Sequence, residues 1–117
     1  MAVKEFDFEL VRGDTTPITF SLKDAVGTDL EVAPDEIYFT VKQNYTKQDY
    51  IFQKRLTRGD ITFDNGVCSL ILSHRDTATM KYGSYVYDIQ IKSGDFYKTV
   101  CRGSITLDSE STWLANE

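Results

Sequence analysis

Residues 82–91 alternate with a period of two: Tyr85, Tyr87, Ile89 and Ile91 fall on one side, Ser84, Val86, Asp88 and Gln90 on the other. A strand with one buried face satisfies that pattern. Ser93-Gly94-Asp95 then offers a turn, and residues 96–107 run back as a long partner. Upstream, residues 73–80 read as a single helical turn crossing between sheets, with Ser73 as its cap and Asp76 set against the exposed amides. A strand entered by a crossover and followed by its own hairpin partner predicts a β-sandwich.

The rest of the chain supplies the other strands. Phe6, Phe8 and Leu10 alternate with Asp7 and Glu9. Ile18, Phe20 and Leu22 alternate with Thr19 and Ser21 behind Pro17, and Ile37, Phe39 and Val41 alternate with Tyr38 and Thr40. Residues 24–29 are a turn by composition, Leu30 and Val32 suggest a short edge piece ahead of Pro34, and residues 43–48 form a polar loop. Residues 50–56 make a noisier fourth strand. Residues 61–64 and 67–72 flank Asn65-Gly66, the dipeptide of a type I′ hairpin turn, whose two central residues both need positive φ. In the last strand Tyr97, Thr99, Cys101, Gly103, Ile105 and Leu107 share one parity, with Gly103 as the expected place of a bulge. Tyr85 or Tyr82, beside the crossover that Gly83 ends, is placed to hydrogen-bond the upstream backbone as a corner tyrosine does in immunoglobulin-type sandwiches. The expected fold is all-β: an immunoglobulin-like β-sandwich of seven or eight antiparallel strands over residues 1–108, with one short helical crossover, then a polar tail at 109–117.

Seven Tyr, seven Phe and one Trp against two Met and two Pro agree with a strand-rich domain. A formal charge of −5 argues against a nucleic-acid partner, whose affinity depends on basic surface. No apolar run is long enough to span a bilayer, and residues 1–7 alternate charged and apolar side chains unlike a signal peptide. The expectation is a protein made in the cytoplasm, with no membrane partner. Cys68 and Cys101 sit within strands without metal-ligand spacing and read as buried, reduced thiols.

The residues that carry chemistry are sparse. His74 is the one histidine, and Asp76 could orient it, but no nucleophile motif accompanies them. Asp60, Asp64 and Asn65 come nearest to a calcium loop, and turn chemistry explains them more simply. Arg12-Gly13-Asp14 and Arg58-Gly59-Asp60 repeat the tripeptide that integrins read, again in turn composition. Lys42, Tyr45, Lys47, Tyr50, Phe52, Lys54, Arg55 and Arg58 interleave basic and aromatic residues, as an edge strand that blocks unwanted pairing or as a protein-contact surface. Tyr38, Tyr45, Tyr50, Tyr87 and Tyr97 exceed what a core readily satisfies, so some should reach the surface.

Phe8-Glu9-Leu10-Val11-Arg12-Gly13-Asp14-Thr15 ahead of Ile18-Thr19-Phe20-Ser21-Leu22, then Gly83-Ser84-Tyr85-Val86-Tyr87-Asp88-Ile89 and a closing Gly103-Ser104-Ile105-Thr106-Leu107, form a recognisable order. It resembles the immunoglobulin-like domain of tailed-phage structural proteins, in particular the N-terminal domain of the baseplate upper protein of phages of Gram-positive bacteria. The segment from Asp35 to Lys42 fits as well, and the likeness runs over residues 5–108. Members of that family continue into further segments where this chain stops at Glu117, which leaves a stand-alone tail or neck protein or an expressed domain. The resemblance implies a virion role and no catalytic residues.

The expected function is therefore a non-enzymatic phage or prophage structural protein of tail or baseplate. It would assemble in the bacterial cytoplasm with other virion proteins or with copies of itself, through Tyr45, Tyr50, Phe52, Lys54 and Arg55. No catalytic, cofactor-binding or metal-ligating residue is assigned. The rival from another class is a host-surface or carbohydrate-binding module on the same fold.

Overall fold

Two sheets stack around a core drawn from both. The computed structural model describes residues 4–23, 27, 30–46, 48–78 and 80–108. The elements are β1 (Lys4–Glu5), β2 (Phe8–Val11), β3 (Thr16–Ser21), β4 (Glu36–Lys42), β5 (Phe52–Arg55), β6 (Ile61–Asp64), β7 (Val67–Leu72), α1 (His74–Thr77), β8 (Gly83–Ser93) and β9 (Phe96–Asp108). One sheet runs β9-β8-β4-β5 with β1 and β2 following each other along the outer edge of β9, and the second runs β3-β7-β6. This is the division of strands in an immunoglobulin-like sandwich, with α1 carrying the chain from the small sheet back to the large one.

The period-two residues point inward as their spacing requires. Ile37, Phe39, Val41, Tyr85, Tyr87, Ile89, Ile105 and Leu107 from the large sheet meet Ile61, Cys68, Leu70 and Leu72 from the small one. Phe39 stacks on Tyr87 at 5.3 Å and Phe8 tilts against it at 5.0 Å. Asn65 and Gly66 take φ of 48° and 87°, so the hairpin turn is of the expected type. Asp76 accepts the Ser73 N–H at 2.8 Å, closing one half of a capping box on α1. The corner tyrosine is Tyr85, whose hydroxyl donates to the Lys81 carbonyl at 2.5 Å. Replacing it by phenylalanine leaves that half-buried carbonyl without its donor and should cost about 1–2 kcal/mol in urea denaturation. An unchanged midpoint would show that the hydroxyl does not hold the corner.

Three local expectations are corrected. The sandwich is not wholly antiparallel: β1 and β2 run parallel to β9, with Phe8 opposite Ile105 and Leu10 opposite Leu107. Alternation within a strand carries no information about its neighbour's direction. The bulge in β9 falls at Val100, because Ile89 pairs with Cys101 while Gln90 pairs with Thr99. Tyr97 and Thr99 thereby share the outward face of Lys92 and Gln90, and lose the parity of Cys101 and Ile105. Gly103 has a different purpose. The Phe6 carbonyl lies over it, and a Cβ there would overlap that oxygen and stand 2.7 Å from its carbon. Finally, Leu30 and Val32, expected as a short edge piece rather than a real strand, make no edge piece either. The Leu30 N–H donates to the Leu22 carbonyl at 3.0 Å, and Val32 is 78% exposed. Apart from Gly27, the turn over residues 24–29 lies outside the described residues, as does the tail at 109–117.

Candidate functional site

The outward positions of the large sheet form a polar, tyrosine-bearing face. Register places Gln53, Thr40, Asp88 and Arg102 in one transverse row, and Arg55, Tyr38, Gln90 and Thr99 in the next. Lys92 and Tyr97 lie beyond, and Lys42 and Val86 lie on the other side. Three rings on this face each carry a cation: Arg55 over Tyr38 at 5.0 Å, Lys92 over Tyr97 at 5.8 Å and Arg102 over Tyr45 at 5.9 Å. Tyr45 reaches the face from the loop after β4, its hydroxyl shared between the carbonyls of Tyr87 at 3.2 Å and Gly103 at 3.0 Å. Gln53 covers Thr40 with a 2.9 Å hydrogen bond and accepts one of 2.8 Å from Arg55. Asp88 sits half-buried among them. Burial pushes its carboxyl above the usual range, with Lys42 pulling the other way. Lys42, Arg55, Lys92 and Arg102 surround the one carboxylate of Asp88, so this face carries more cations than anions on a chain whose net charge is −5.

The five residues expected to make contact are divided by the pleat. Tyr45 and Arg55 belong to the outer face just described. Phe52 and Lys54 point the opposite way, toward the small sheet, because Phe52 pairs with Val41 and Lys54 with Phe39. Together with the half-exposed Tyr50 they line a separate cleft of about 400 Å³ at the sandwich edge, shared with Gln53, Arg58, Asp60 and Asp76. There Lys54 Nζ meets Asp76 Oδ2 at 2.8 Å and Arg58 Nε meets Asp60 Oδ2 at 2.7 Å. Arg58 also donates to the Gln53 carbonyl. Burial works to raise the Asp60 carboxyl, and hydrogen bonds from Arg58 and the Arg55 N–H outweigh it and hold it below its ordinary value. Asp88, Lys92 and Arg102 join the site without a sequence assignment, while Tyr38 and Tyr97 are two of the surplus tyrosines of which some are expected at the surface. The signal for Asp88 is the outward parity of residues 82–91; the side of the sheet that Tyr97 faces is set by the bulge at Val100.

The remaining motifs resolve into local structure. His74 is exposed, and Asp76 serves Ser73 and Lys54 rather than the imidazole. Arg12 lies 4.7 Å over the Tyr82 ring and Asp14 closes a turn onto Val11. In the second Arg-Gly-Asp the carboxylate is turned back onto its own arginine. Among the described residues no three His, Cys, Asp or Glu stand close enough to hold a metal, and no helix is long and apolar enough to cross a membrane. Cys68 is buried, which pushes its thiol up to about 11, while Cys101 is half-buried with its sulfur 3.6 Å from the Tyr87 hydroxyl.

No family model matches the chain, and no curated protein does either. Among solved structures, the chain is similar to the endo-β-1,4-mannanase from Thermotoga petrophila, with a TM-score of 0.56 and 12% identity over 88% of its own length. It spans 18% of that enzyme's chain. At this identity the likeness is one of fold. It nevertheless corrects the expectation that the protein is not an enzyme: a sandwich of this shape is carried by an enzyme's chain, so neither the fold nor a missing catalytic motif excludes an enzymatic setting.

Proposed function

We propose that this protein is a component of a phage or prophage virion, a tail or baseplate domain that works by assembling with other virion proteins or with further copies of itself. The observation that carries this reading is the outer face of the large sheet, where three tyrosines are held under their own cations. Tyrosine and arginine dominate the energetics of protein interfaces, and rings already fixed in place lose little entropy on docking. The resemblance of residues 5–108 to a tail domain supplies the class of partner. Reversing two of the charges, Lys92→Glu with Arg102→Glu, should weaken binding to cognate virion proteins about tenfold or more in titration calorimetry. Unchanged affinity in a variant that melts like the parent would overturn the assignment of this face.

A second reading, a host-surface or carbohydrate-binding module, is favoured by one finding, the sandwich carried on a mannanase chain. A glycan-binding screen separates the two.

A further inference from the structure

We propose that the edge cleft between β5 and α1 is a binding site for a neutral carbohydrate, with Tyr50 as its stacking wall and Asp60, Asp76, Lys54 and Arg58 as its hydroxyl-binding groups. The inference rests on the second reading above and gives that reading a location. It is distinct from the outer face, which lies on the other side of β5 and shares Gln53 with it.

Three features of the cleft select the ligand. Its charges are paired: two cations and two carboxylates meet at 2.8 Å and 2.7 Å, so the four groups carry no net formal charge to attract an ionic ligand. A sugar hydroxyl both donates and accepts, and can use a carboxylate oxygen and a neighbouring ammonium or guanidinium together. The polar groups are also fixed before any ligand arrives. Asp76 is held by the Ser73 N–H at 2.8 Å and its hydroxyl at 3.3 Å, and Asp60 by the Arg55 N–H at 3.1 Å. Side chains already ordered lose little freedom on binding. The wall, finally, is aromatic. Tyr50 is 50% exposed and lines the same cleft as Phe52, offering a flat apolar surface to the C–H face of a pyranose ring. A volume of about 400 Å³ is at the low end of small-molecule sites, enough for about one or two sugar rings.

Lys54–Asp76 also ties β5 to α1, so substitutions there would test stability together with binding. Tyr50 makes the cleaner test because half of it is in solvent. Nitrogen-15-labelled protein would be titrated with manno-, cello-, xylo- and chito-oligosaccharides while its amide resonances are followed. The expected result is movement centred on Tyr50, Phe52, Lys54, Arg58, Asp60 and residues 73–78 for at least one of them, with Tyr38, Asp88, Gln90, Tyr97 and Arg102 unmoved. Tyr50→Ala should weaken that binding about tenfold or more, and Tyr50→Phe, which keeps the ring, should retain it to within about twofold. Movement confined to the outer face of the large sheet would overturn this site and leave a carbohydrate module standing. No movement with any of the four would overturn both, and neither outcome bears on assembly through the outer face.

Discussion

Gly103→Ala will lower the melting temperature by about 15 °C, a loss of about 3 kcal/mol. The added methyl would overlap the Phe6 carbonyl oxygen and stand 3.0 Å from an Asp7 carboxylate oxygen. Neither neighbour can yield cheaply. The Phe6 carbonyl is backbone and accepts the Tyr87 hydroxyl at 2.5 Å, while the Phe6 N–H donates to Arg102 at 3.1 Å. Asp7 in turn accepts the Ser104 N–H at 2.9 Å. To admit a Cβ the segment joining β1 to β2 must lift off β9, and the Tyr87 hydroxyl, buried under Phe8 and Phe39, is left without its acceptor. Tyr87→Phe is the companion variant. It keeps the ring and removes only the donor, so it should cost about 1–2 kcal/mol, roughly half the glycine substitution. Differential scanning calorimetry on both decides the matter. If Gly103→Ala melts within about 2 °C of the parent, β1 and β2 are not seated by this close approach.

The same glycine shows where sequence reading stops. A glycine inside an alternating strand signals either a bulge or the close approach of another backbone, and only the partner tells which. Here the partner is Phe6, almost a hundred residues away, and the bulge sits three positions earlier at Val100. What was legible is local: the two-residue period of β4 and β8, the Asn65-Gly66 turn, the cap at Ser73 and the corner tyrosine each depend on neighbours within a few positions. The parallel seating of β1 and β2 depends on none. The candidate site follows the same division. Tyr45, Tyr50, Phe52, Lys54 and Arg55 read as one basic-aromatic stripe along the chain. The pleat sends Phe52 and Lys54 to one side and Arg55 to the other, and a hydrogen bond from a loop tyrosine to two distant carbonyls decides where Tyr45 goes. An alternation argument applied to residues 52–55 separates the first three; nothing in the sequence places the last.

Glu36 is the second position where a single change should have a large effect. It opens β4 at 7% exposure, and its carboxylate receives three hydrogen bonds. Oε1 accepts the N–H groups of Ile37 and Thr57, each at 3.0 Å, and Oε2 accepts the Thr57 hydroxyl at 2.5 Å. These bonds fasten the turn after β5 to the start of β4, beside the 3.1 Å bond from Leu56 N–H to the Ile37 carbonyl. Glu36→Ala removes all three of these bonds to a charged acceptor, while the exposed Thr57 keeps access to water, and should cost about 2–3 kcal/mol in urea denaturation at neutral pH. Glu36→Gln keeps one acceptor oxygen and should cost about 1–2 kcal/mol. The two also differ from the parent in acid. Burial acts to raise the Glu36 carboxyl, but the hydrogen bonds from Thr57 and from the Ile37 amide outweigh it, so the folded value lies below the ordinary 4.5. A carboxylate depressed on folding contributes stability that is complete above its unfolded pKa and disappears as pH falls through the lower, folded one. Between about pH 5 and pH 3 the parent should therefore lose more stability than Glu36→Gln, which has no proton to take up there. Asp60 is depressed in the same direction but is common to both proteins, so the difference between their curves belongs to Glu36. Parallel curves would mean that the carboxylate is not ionised in its hydrogen-bonded seat, and the clasp between β4 and the turn after β5 would have to be held by the Leu56 amide instead.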